Sequence, residues 1–402
     1  MSAQTLILLL MLAVLLVVGS RVGFGQRELP AWLRPLVETG AAFILIGAVI
    51  GPQGLNLFTD EVLGQLDAVV VIGLGWIGFL YGANFERRRM RRFPRALYAA
   101  GITESLFTFA LVTGAALAVL GLWSGTHLPW QQRAPAAMIL GICAAGTAPA
   151  GIFQLGGERR LSAEDLGTLR FFSALDDAPG LVLLALLNAA FHPALSDGDI
   201  PAVLRWLGLS VGVGLALGVI GHWLLGTGED TRQNSLLLLG LVALGAGAAA
   251  LLRLSPLFVS AMAGVVFANL SPRKESTYGL LAGGEHTLYA VFLLVAGLLF
   301  RFEWAPVYML VPGYVLWRAA AKLGGGWLAR RVFLRDWRVS PWIGGGLLFQ
   351  GGMALAMAVS FERTHQSVLA HQVTTTIVVG VVVSELLAPL ITRAVLARGR
   401  AE

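Results

Sequence analysis

"RFFSALDDAPGLVLLALLNAAF", which runs from Arg170 to Phe191, contains two adjacent aspartates and a proline within an apolar stretch long enough to cross a bilayer. A spanning helix needs about 20 mostly apolar residues, and a carboxylate at the bilayer centre costs roughly 2.5–3.5 kcal/mol on insertion scales. Two neighbouring carboxylates at this depth require either compensating charges or a function. The stretch therefore predicts a membrane helix that carries a polar site.

The composition of the whole chain is that of an integral membrane protein. Of its 402 residues, 56% are hydrophobic and 13% are charged, whereas a soluble domain has about 25% charged residues. The apolar runs are about 20 residues long, which predicts spanning helices rather than the short alternating strands of an outer-membrane barrel. Thirteen spans, numbered 1–13 in chain order, are predicted at residues 4–20, 36–55, 62–83, 95–121, 134–155, 166–191, 201–226, 235–252, 256–270, 284–301, 305–328, 342–361 and 370–396.

The basic residues are distributed unevenly between the two sides of the membrane. The run ERRRMRRFPR (Glu86–Arg95) marks a cytoplasmic loop, because Lys and Arg concentrate in such loops. With thirteen spans, 21 of the 29 Lys and Arg fall on that side and 4 on the other. The N-terminus is therefore expected outside and the C-terminus in the cytoplasm, with span 1 retained because no cleavage site follows it. This sorting explains the net charge of +6, so no nucleic acid is expected as a partner.

The sequence predicts neither a disulfide or thiolate metal site nor a dinucleotide-binding site. Cys143 is the single cysteine, which rules out an intramolecular disulfide and a cluster of thiolate metal ligands. VVVIGLGWIG (Val69–Gly78) matches the dinucleotide pattern G-x-G-x-x-G, but the apolar run continues to Tyr81 and then meets the arginine cluster, where a nucleotide-binding unit needs a second strand. We interpret these glycines as small residues that let membrane helices pack closely, and we expect no cofactor.

Two local similarities relate the halves of the chain. FLYGANFER (Phe79–Arg87) resembles LVAGLLFRF (Leu294–Phe302) at an offset of 215 residues, and DDAPGL (Asp176–Leu181) resembles LLAPLI (Leu386–Ile391) at an offset of 210. Each match pairs a span with the seventh span after it, which crosses the membrane in the opposite direction. The pattern predicts an all-α protein with an inverted-topology repeat of spans 1–6 and 8–13, as in secondary transporters.

Spans 5 and 12 contain glycine-rich segments at corresponding depths. These are AAGTAPAG (Ala144–Gly151) and GGGLLFQGGMA (Gly344–Ala354). Non-helical backbone within a membrane occurs where protein covers it or where it lines a cavity. We predict that both spans are broken and that they cross; the alternative is close helix packing through the small residues.

The intramembrane charges suggest one ion pair and one binding carboxylate. Asp176 and Asp177 project about 100° apart on a helix, so they can face different partners. Cations within or at the ends of spans are few, and Lys322 is the natural partner because a buried lysine can lose its charge whereas arginine keeps it. A buried salt bridge explains one aspartate. The second is better explained as a site for a proton or a small cation, a use typical of intramembrane acids.

Further acids lie within spans 4 and 13. For Glu104 and Glu385 we favour a structural role or contact with water. Ser173, close to the aspartate pair, is another secondary candidate.

Three segments occur in a recognisable order. They are ILIGAVIGPQGLNLF (Ile44–Phe58), FLYGANFERRRMRR (Phe79–Arg92) and SPLFVSAMAGVVFANL (Ser255–Leu270). They are similar to the segments G-x-x-x-G-P-x-x-L-G-L, F-x-x-G with a following R-R, and S-x-x-x-x-A-F-x-A-G of the monovalent cation/proton antiporter superfamily. Over almost its whole length the chain resembles this superfamily, and within it the sodium/proton exchangers of the antiporter-2 type.

This resemblance implies roles for individual residues. Asp176 and Asp177 match the Asp-Asp pair of family members that move net charge, with Asp177 exchanging Na⁺ for a proton and Asp176 facing the lysine. Lys322, in AAAKLGGG, matches the lysine of the family's K-x-x-G. The unwound segments would contribute Gly146, Thr147 and Pro149 from span 5, with Thr147 as a further ion ligand, and Gln350, Gly351 and Gly352 from span 12.

The chain departs from the family pattern in two places. Met353 stands where the family often has an acidic residue, so no role of that acid is expected here. The sequence ends six residues after Leu396, so regulation through a cytoplasmic nucleotide-binding domain is not expected either.

The resemblance also implies an organisation and a location. It implies a homodimer in the lipid of a bacterial inner membrane, working by alternating access. Scaffold helices would occupy residues 1–94 and 235–303, moving core helices 95–195 and 304–402, and a linker helix 196–234. Sodium/proton exchange is the leading hypothesis and no enzyme activity is expected; the alternatives are K⁺/H⁺ exchange, a symporter of an organic anion, and a channel or non-transporting membrane subunit.

Charge asymmetry gives a topological prediction. Single cysteines replacing Arg89 or Arg159 should react with an impermeant thiol reagent only from the cytoplasmic side, and those replacing Thr126 or Gln366 only from outside. The measurement is labelling of intact cells and inverted vesicles in a Cys143→Ser background. Reversed labelling at these positions would contradict the predicted number of spans.

Overall fold

A computed structural model describes residues 41–52, 54–58, 63–64, 66–123, 128–149, 151–152, 161–192, 200–226, 231–271, 290–298 and 310–398. Within these ranges every regular element is a helix and no strand occurs. Predicted span 1 lies outside the described residues, as do Thr126, Arg159 and the ends of predicted span 10. The prediction of an all-α chain is confirmed.

The helices follow the predicted spans closely. In chain order they are α1 (Ala41–Ile50), α2 (Asp67–Ala83), α3 (Arg87–Met90), α4 (Arg95–Trp123), α5 (Trp130–Ala145), α6 (Ala163–Leu175), α7 (Asp177–Ala190), α8 (Ile200–Gly226), α9 (Thr231–Leu251), α10 (Pro256–Leu270), α11 (290–298), α12 (Leu310–Phe333), α13 (Gly352–His365) and α14 (Val368–Arg398). Within the part of the chain that the structure describes, four helical stretches are long and apolar enough to cross a membrane: Arg95–Leu122, Ala163–Ala190, Ile200–Leu224 and Val368–Thr392.

Spans 5 and 12 are broken, as their glycines predict. α5 ends at Ala145, after which Gly146 takes an extended conformation (φ −72°, ψ 150°). In span 12, a 3₁₀ helix at Ile343–Leu347 leads into non-helical residues 348–351 before α13 begins. Among their described residues, predicted spans 5 and 12 are therefore each a helix joined to an unwound segment.

Span 6 differs from the prediction of one continuous helix. It is interrupted at Asp176, which separates α6 from α7 while keeping helical dihedral angles (φ −67°, ψ −22°). Pro179 has no N–H to continue the hydrogen-bond ladder. Ser105 on α4 donates a hydrogen bond of 3.0 Å to the Asp176 carbonyl. By contrast, Pro389, which the sequence repeat aligns with Pro179, lies within the continuous helix α14.

The described residues form two compact units that each combine distant parts of the chain. One contains described residues 42–92 and 188–298, and the other contains described residues 93–187 and 310–398. The aspartate pair and Lys322 both belong to the second unit.

In the first unit, glycines bring α2 and α10 into backbone contact. A Cβ at Gly78 would overlap the Leu257 carbonyl oxygen, and a Cβ at Gly82 would overlap that of Ala261. Apolar side chains fill the space beside this contact, among them Trp76, Phe79, Leu241, Val242, Val259 and Phe267. The interpretation of the G-x-G-x-x-G run as close helix packing is confirmed.

The same contact recurs in the helices that the sequence repeat relates. Gly82 in span 3 contacts Ala261 in span 9, whereas a Cβ at Gly297 in span 10 would overlap the Ile44 carbonyl oxygen in span 2. In the sequence repeat each span corresponds to the span seven places later, so span 3 corresponds to span 10 and span 2 corresponds to span 9. The two contacts are therefore equivalent under an inverted repeat.

In the second unit, α4 lies between α5 and α12. A Cβ at Gly141 of α5 would overlap the Thr113 hydroxyl of α4. A Cβ at Gly325 of α12 would lie 3.2 Å from the Glu104 carbonyl oxygen of α4. These small residues let the middle of α12, which carries Lys322, approach α4 closely.

Glycine packing gives a stability prediction for the first unit. Gly78→Ala should lower the apparent melting temperature in detergent, because the new methyl group forces α2 and α10 apart at a cost of about 1–3 kcal/mol. Gly240→Ala in α9 is the matched control, since no described atom lies within 4 Å of its added Cβ and alanine favours the helix by about 1 kcal/mol. Equal melting temperatures for the two variants would contradict the proposed contact.

Candidate functional site

The two unwound segments of the second unit lie against each other. The backbone N–H of Ala148 donates a hydrogen bond of 3.2 Å to the Phe349 carbonyl. A Cβ at Gly351 would lie 2.9 Å from the Cβ of Ala148, and a Cβ at Gly151 would overlap the Phe349 ring. The crossing predicted from the sequence therefore depends on glycines at the points of closest approach.

Arg318 of α12 holds both unwound segments together. Its side chain is 2% exposed, and its guanidinium donates hydrogen bonds to five backbone carbonyls, those of Ala144, Gly146, Leu347, Leu348 and Phe349, at 2.6–3.4 Å. The first two carbonyls belong to span 5 and the other three to span 12. One side chain thus satisfies oxygens that the broken helices cannot pair internally.

A second group of polar side chains fixes the segment that leads into α13. The Gln350 amide donates hydrogen bonds to the Tyr314 hydroxyl at 2.7 Å and to the Cys143 carbonyl at 2.9 Å. Its backbone N–H donates to Glu385 Oε1 on α14 at 2.9 Å. Glu385 therefore accepts from an N–H group close to the start of α13, where a helix favours negative charge.

Lys322 lies between two carboxylates. Its Nζ is 3.3 Å from Asp176 Oδ2 and 3.2 Å from Glu104 Oε2, and all three side chains are fully buried. The ammonium also donates a hydrogen bond to the Ala145 carbonyl at the end of α5. The other oxygen of Glu104 accepts a hydrogen bond of 3.0 Å from Thr108. Lys322 thus has three acceptors, which match its three N–H donors.

Asp177, the first residue of α7, packs against the unwound Gly146. It is 5% exposed, and its carboxylate packs so tightly against Gly146 that a Cβ there would overlap Oδ1. Among the described residues, no ion pair or hydrogen bond joins this carboxylate to another group. Asp176 and Asp177 therefore differ, since among the described residues only the first is joined to a cation by an ion pair.

The structure brings most of the candidate residues together. Those around the crossing are Asp176, Asp177, Lys322, Glu104, Gly146, Thr147, Gln350, Gly351 and Gly352. Thr147 donates a hydrogen bond of 3.4 Å to the Leu347 carbonyl and directly follows Gly146, against which the Asp177 carboxylate packs. Glu385, a residue of α14, accepts a hydrogen bond beside the start of α13. Pro149 is exposed.

Two secondary candidates have contacts that the sequence did not specify, and of the two alternatives for Glu104 the contacts fit a structural role. Ser173 donates its hydroxyl proton to the Arg170 carbonyl of its own helix at 3.1 Å, so it does not point to the aspartates. Glu104 pairs directly with Lys322 and does not face water, because its side chain is fully buried.

Sequence reasoning missed the role of Arg318 and of Tyr314. Arg318 stands four residues before Lys322, so the two cations share one face of α12. That spacing places both in one site. It does not reveal that the arginine binds backbone carbonyls, because those carbonyls become available only when the two spans break.

Comparison with known proteins fits this arrangement. A family model described as the transmembrane sodium/hydrogen exchanger matches residues 5–398. The chain belongs to the sodium/hydrogen exchanger family. Members of this family are transporters and not enzymes, so the protein is a multi-pass membrane protein of the cation/proton antiport class.

Solved structures show the same fold. The chain is similar to a structure, at pH 8, of the sodium proton antiporter MjNhaP1 from Methanocaldococcus jannaschii. The identity is 18%, 99% of each chain is covered and the TM-score is 0.67. An electron-microscopy structure of the same antiporter matches with 18% identity, 99% of this chain and 98% of that chain covered, and a TM-score of 0.65. The chain therefore has the same fold as these antiporter structures.

The contacts of Arg318 give a stability prediction. Arg318→Met should lower the apparent melting temperature strongly, because five buried carbonyls lose a charged donor and each unsatisfied group costs about 1–3 kcal/mol. Arg318→Lys should restore only part of the loss, since an ammonium is a point donor and not a planar fork. Arg331→Met, at a residue on the same helix whose guanidinium lies over the Trp327 ring, is the matched control. A thermal ramp in detergent that gave equal values for Arg318→Met and Arg331→Met would contradict the assigned role.

Proposed function

We propose that this chain exchanges Na⁺ for H⁺ and that Asp177 binds the cation and the proton in turn. The observation that carries the proposal is the difference between the two aspartates. Lys322 compensates Asp176, whereas Asp177 is buried beside the unwound Gly146 without an ion pair among the described residues. A buried carboxylate in this position must bind a proton or a cation to become neutral.

The surroundings of Asp177 supply the ligands that a small hard cation prefers. Such cations bind to oxygen atoms from carboxylates, hydroxyls and carbonyls. Asp176 directly precedes Asp177, and Thr147 directly follows Gly146, against which the Asp177 carboxylate packs. Most carbonyls of the unwound segments bind Arg318, so the carboxylates and the hydroxyl are the more available ligands.

Transport would take place by alternating access. We infer that the second unit, which contains the site, moves relative to the first, and that the first unit mediates formation of a homodimer. The orientation of the chain in a bacterial inner membrane would follow the positive-inside rule, with the C-terminus on the cytoplasmic side. The glycine contacts between α2 and α10 fit a rigid scaffold, because backbones in direct contact cannot slide past each other easily.

The charge of the site distinguishes between the alternative substrates. Around the crossing, Glu104, Asp176 and Asp177 contribute three carboxylates, against two cations, the Lys322 ammonium and the Arg318 guanidinium. This excess of negative charge favours a cation over an organic anion. Exchange of K⁺ for H⁺ would use the same kinds of oxygen ligand in a larger cavity. Transport measured with each ion in turn distinguishes it from Na⁺ exchange.

The proposal predicts that Asp177→Asn abolishes exchange, because the amide has nearly the same volume but cannot release a proton. Purified protein is reconstituted into proteoliposomes with an internal pH reporter, and Na⁺, Li⁺ or K⁺ is added in turn. We expect cation-driven proton movement for the parent protein, greatest with Na⁺, and at least about a hundredfold loss for the variant, which corresponds to roughly 3 kcal/mol.

Asp67→Asn is the matched control, since it makes the same chemical change at an exposed residue of the first unit. It should retain exchange at the parent rate. Near-normal exchange by a correctly inserted Asp177→Asn protein would show that another group carries the proton.

A further inference from the structure

The side-chain amide of Gln350 is fixed in one orientation. Its Nε2 donates hydrogen bonds to the Tyr314 hydroxyl at 2.7 Å and to the Cys143 carbonyl at 2.9 Å, so both of its N–H groups have acceptors. The two ends of the amide cannot be exchanged, because a flipped amide would place its oxygen against the Cys143 carbonyl oxygen, which has no proton to donate. The nitrogen and the oxygen of this side chain therefore have separate roles.

The oxygen of this amide has no hydrogen-bond partner in the part of the chain that the structure describes. Gln350 is fully buried. A buried acceptor without a partner costs free energy, and most such groups in native structures are satisfied. A ligand that carries a positive charge or a proton would remove this cost by binding Oε1.

The amide lies close to the Asp177 carboxylate. Cys143, whose carbonyl accepts from Gln350 Nε2, stands three residues before Gly146, against which the Asp177 carboxylate packs. Three residues rise about 4.5 Å along an α-helix. Gln350 and Asp177 thus approach the same end of α5 from two different spans.

The backbone oxygens at this end of α5 already have cationic partners. The carbonyls of Ala144 and Gly146 accept from Arg318, and that of Ala145 accepts from Lys322. A further cation is repelled beside these donors. The Gln350 oxygen, by contrast, is joined to no donor among the described residues, so it is available to a ligand.

We propose that Gln350 Oε1 is a ligand of the transported cation, which it binds together with the Asp177 carboxylate. The inference rests on the proposed function of Asp177. Amide oxygens bind small hard cations as carboxylate oxygens do. Because the amide is neutral at every pH, it adds affinity for the cation and binds no proton in exchange. Gln350 therefore contributes to the choice of cation, whereas Asp177 carries the proton.

The test is the apparent KM for Li⁺, Na⁺ and K⁺, measured at fixed pH in proteoliposomes. Gln350→Met removes the oxygen while nearly keeping the length of the side chain. It should raise the KM for Na⁺ by at least about tenfold, which corresponds to roughly 1.4 kcal/mol. The maximal rate should change much less, because Asp177 still exchanges the proton. An unchanged KM in a folded Gln350→Met protein would overturn the inference and would mean that Oε1 binds a water molecule only.

Gln350→Asn separates a ligand from a structural amide. The variant keeps an amide but withdraws its oxygen by one methylene group, so contact with the smaller Li⁺ and Na⁺ should weaken more than contact with the larger K⁺. The KM for Na⁺ should therefore rise by a larger factor than that for K⁺; for an ion that is not transported, its inhibition constant against Na⁺ replaces the KM. Equal factors for all three ions would indicate a structural role and would overturn the inference.

Thr392→Val is the matched structural control. Thr392 of α14 is fully buried, and its hydroxyl donates a hydrogen bond of 2.7 Å to the Gly345 carbonyl of span 12. The variant loses a buried hydrogen bond to the span that contains Gln350 but loses no proposed ligand, so its KM values should equal those of the parent. A rise as large as that of Gln350→Met would show that a loosened span 12 raises the KM, and would contradict the ligand role.

The outcomes also separate this inference from the proposed function. If Gln350→Met fails to fold, Gln350→Asn, which keeps an amide, decides the question through the three KM values. Unchanged KM values would overturn the inference and leave the role of Asp177 intact. A parent protein that moves no protons in response to any of the three cations would overturn both.

Discussion

The structure depends on the requirement that buried backbone polar groups find partners where two membrane helices break. Broken helices expose carbonyl oxygens, and in a membrane interior no bulk water can satisfy them. Arg318 meets this requirement for both segments at once, through five carbonyls drawn from spans 5 and 12. Because one guanidinium binds both segments, their geometry is coupled, and the site beside them has a defined shape.

The acidic site follows from that crossing. Unwinding at Gly146 makes room for the Asp177 carboxylate, which packs where any side chain would collide. The same break places the Ala145 carbonyl at the Lys322 ammonium. Each buried charge except that of Asp177 thereby gains a partner among the described residues, and the one uncompensated carboxylate is the group suited to exchange ligands.

Glycines have different roles in the two units. In the first unit, glycines on α2 and α10 bring backbones into contact and favour a rigid body. In the second unit, glycines at the unwound segments leave space for a carboxylate and for a crossing chain. Small residues therefore serve close helix packing in both units, and in the second unit they also leave space for the Asp177 carboxylate and the crossing chain.

The sequence alone determined the membrane class, the positions of most helices, the two breaks and the identity of the aspartate pair, because hydropathy, glycine content and buried charge are local properties. It also indicated Lys322 as a charge near that pair. The tertiary structure decided the contacts of Arg318, the shared position of Lys322 between Asp176 and Glu104, and the orientation of Ser173 away from the site. These depend on which helices pack together, and residues separated by 218 positions, such as Glu104 and Lys322, leave no local pattern that predicts their meeting.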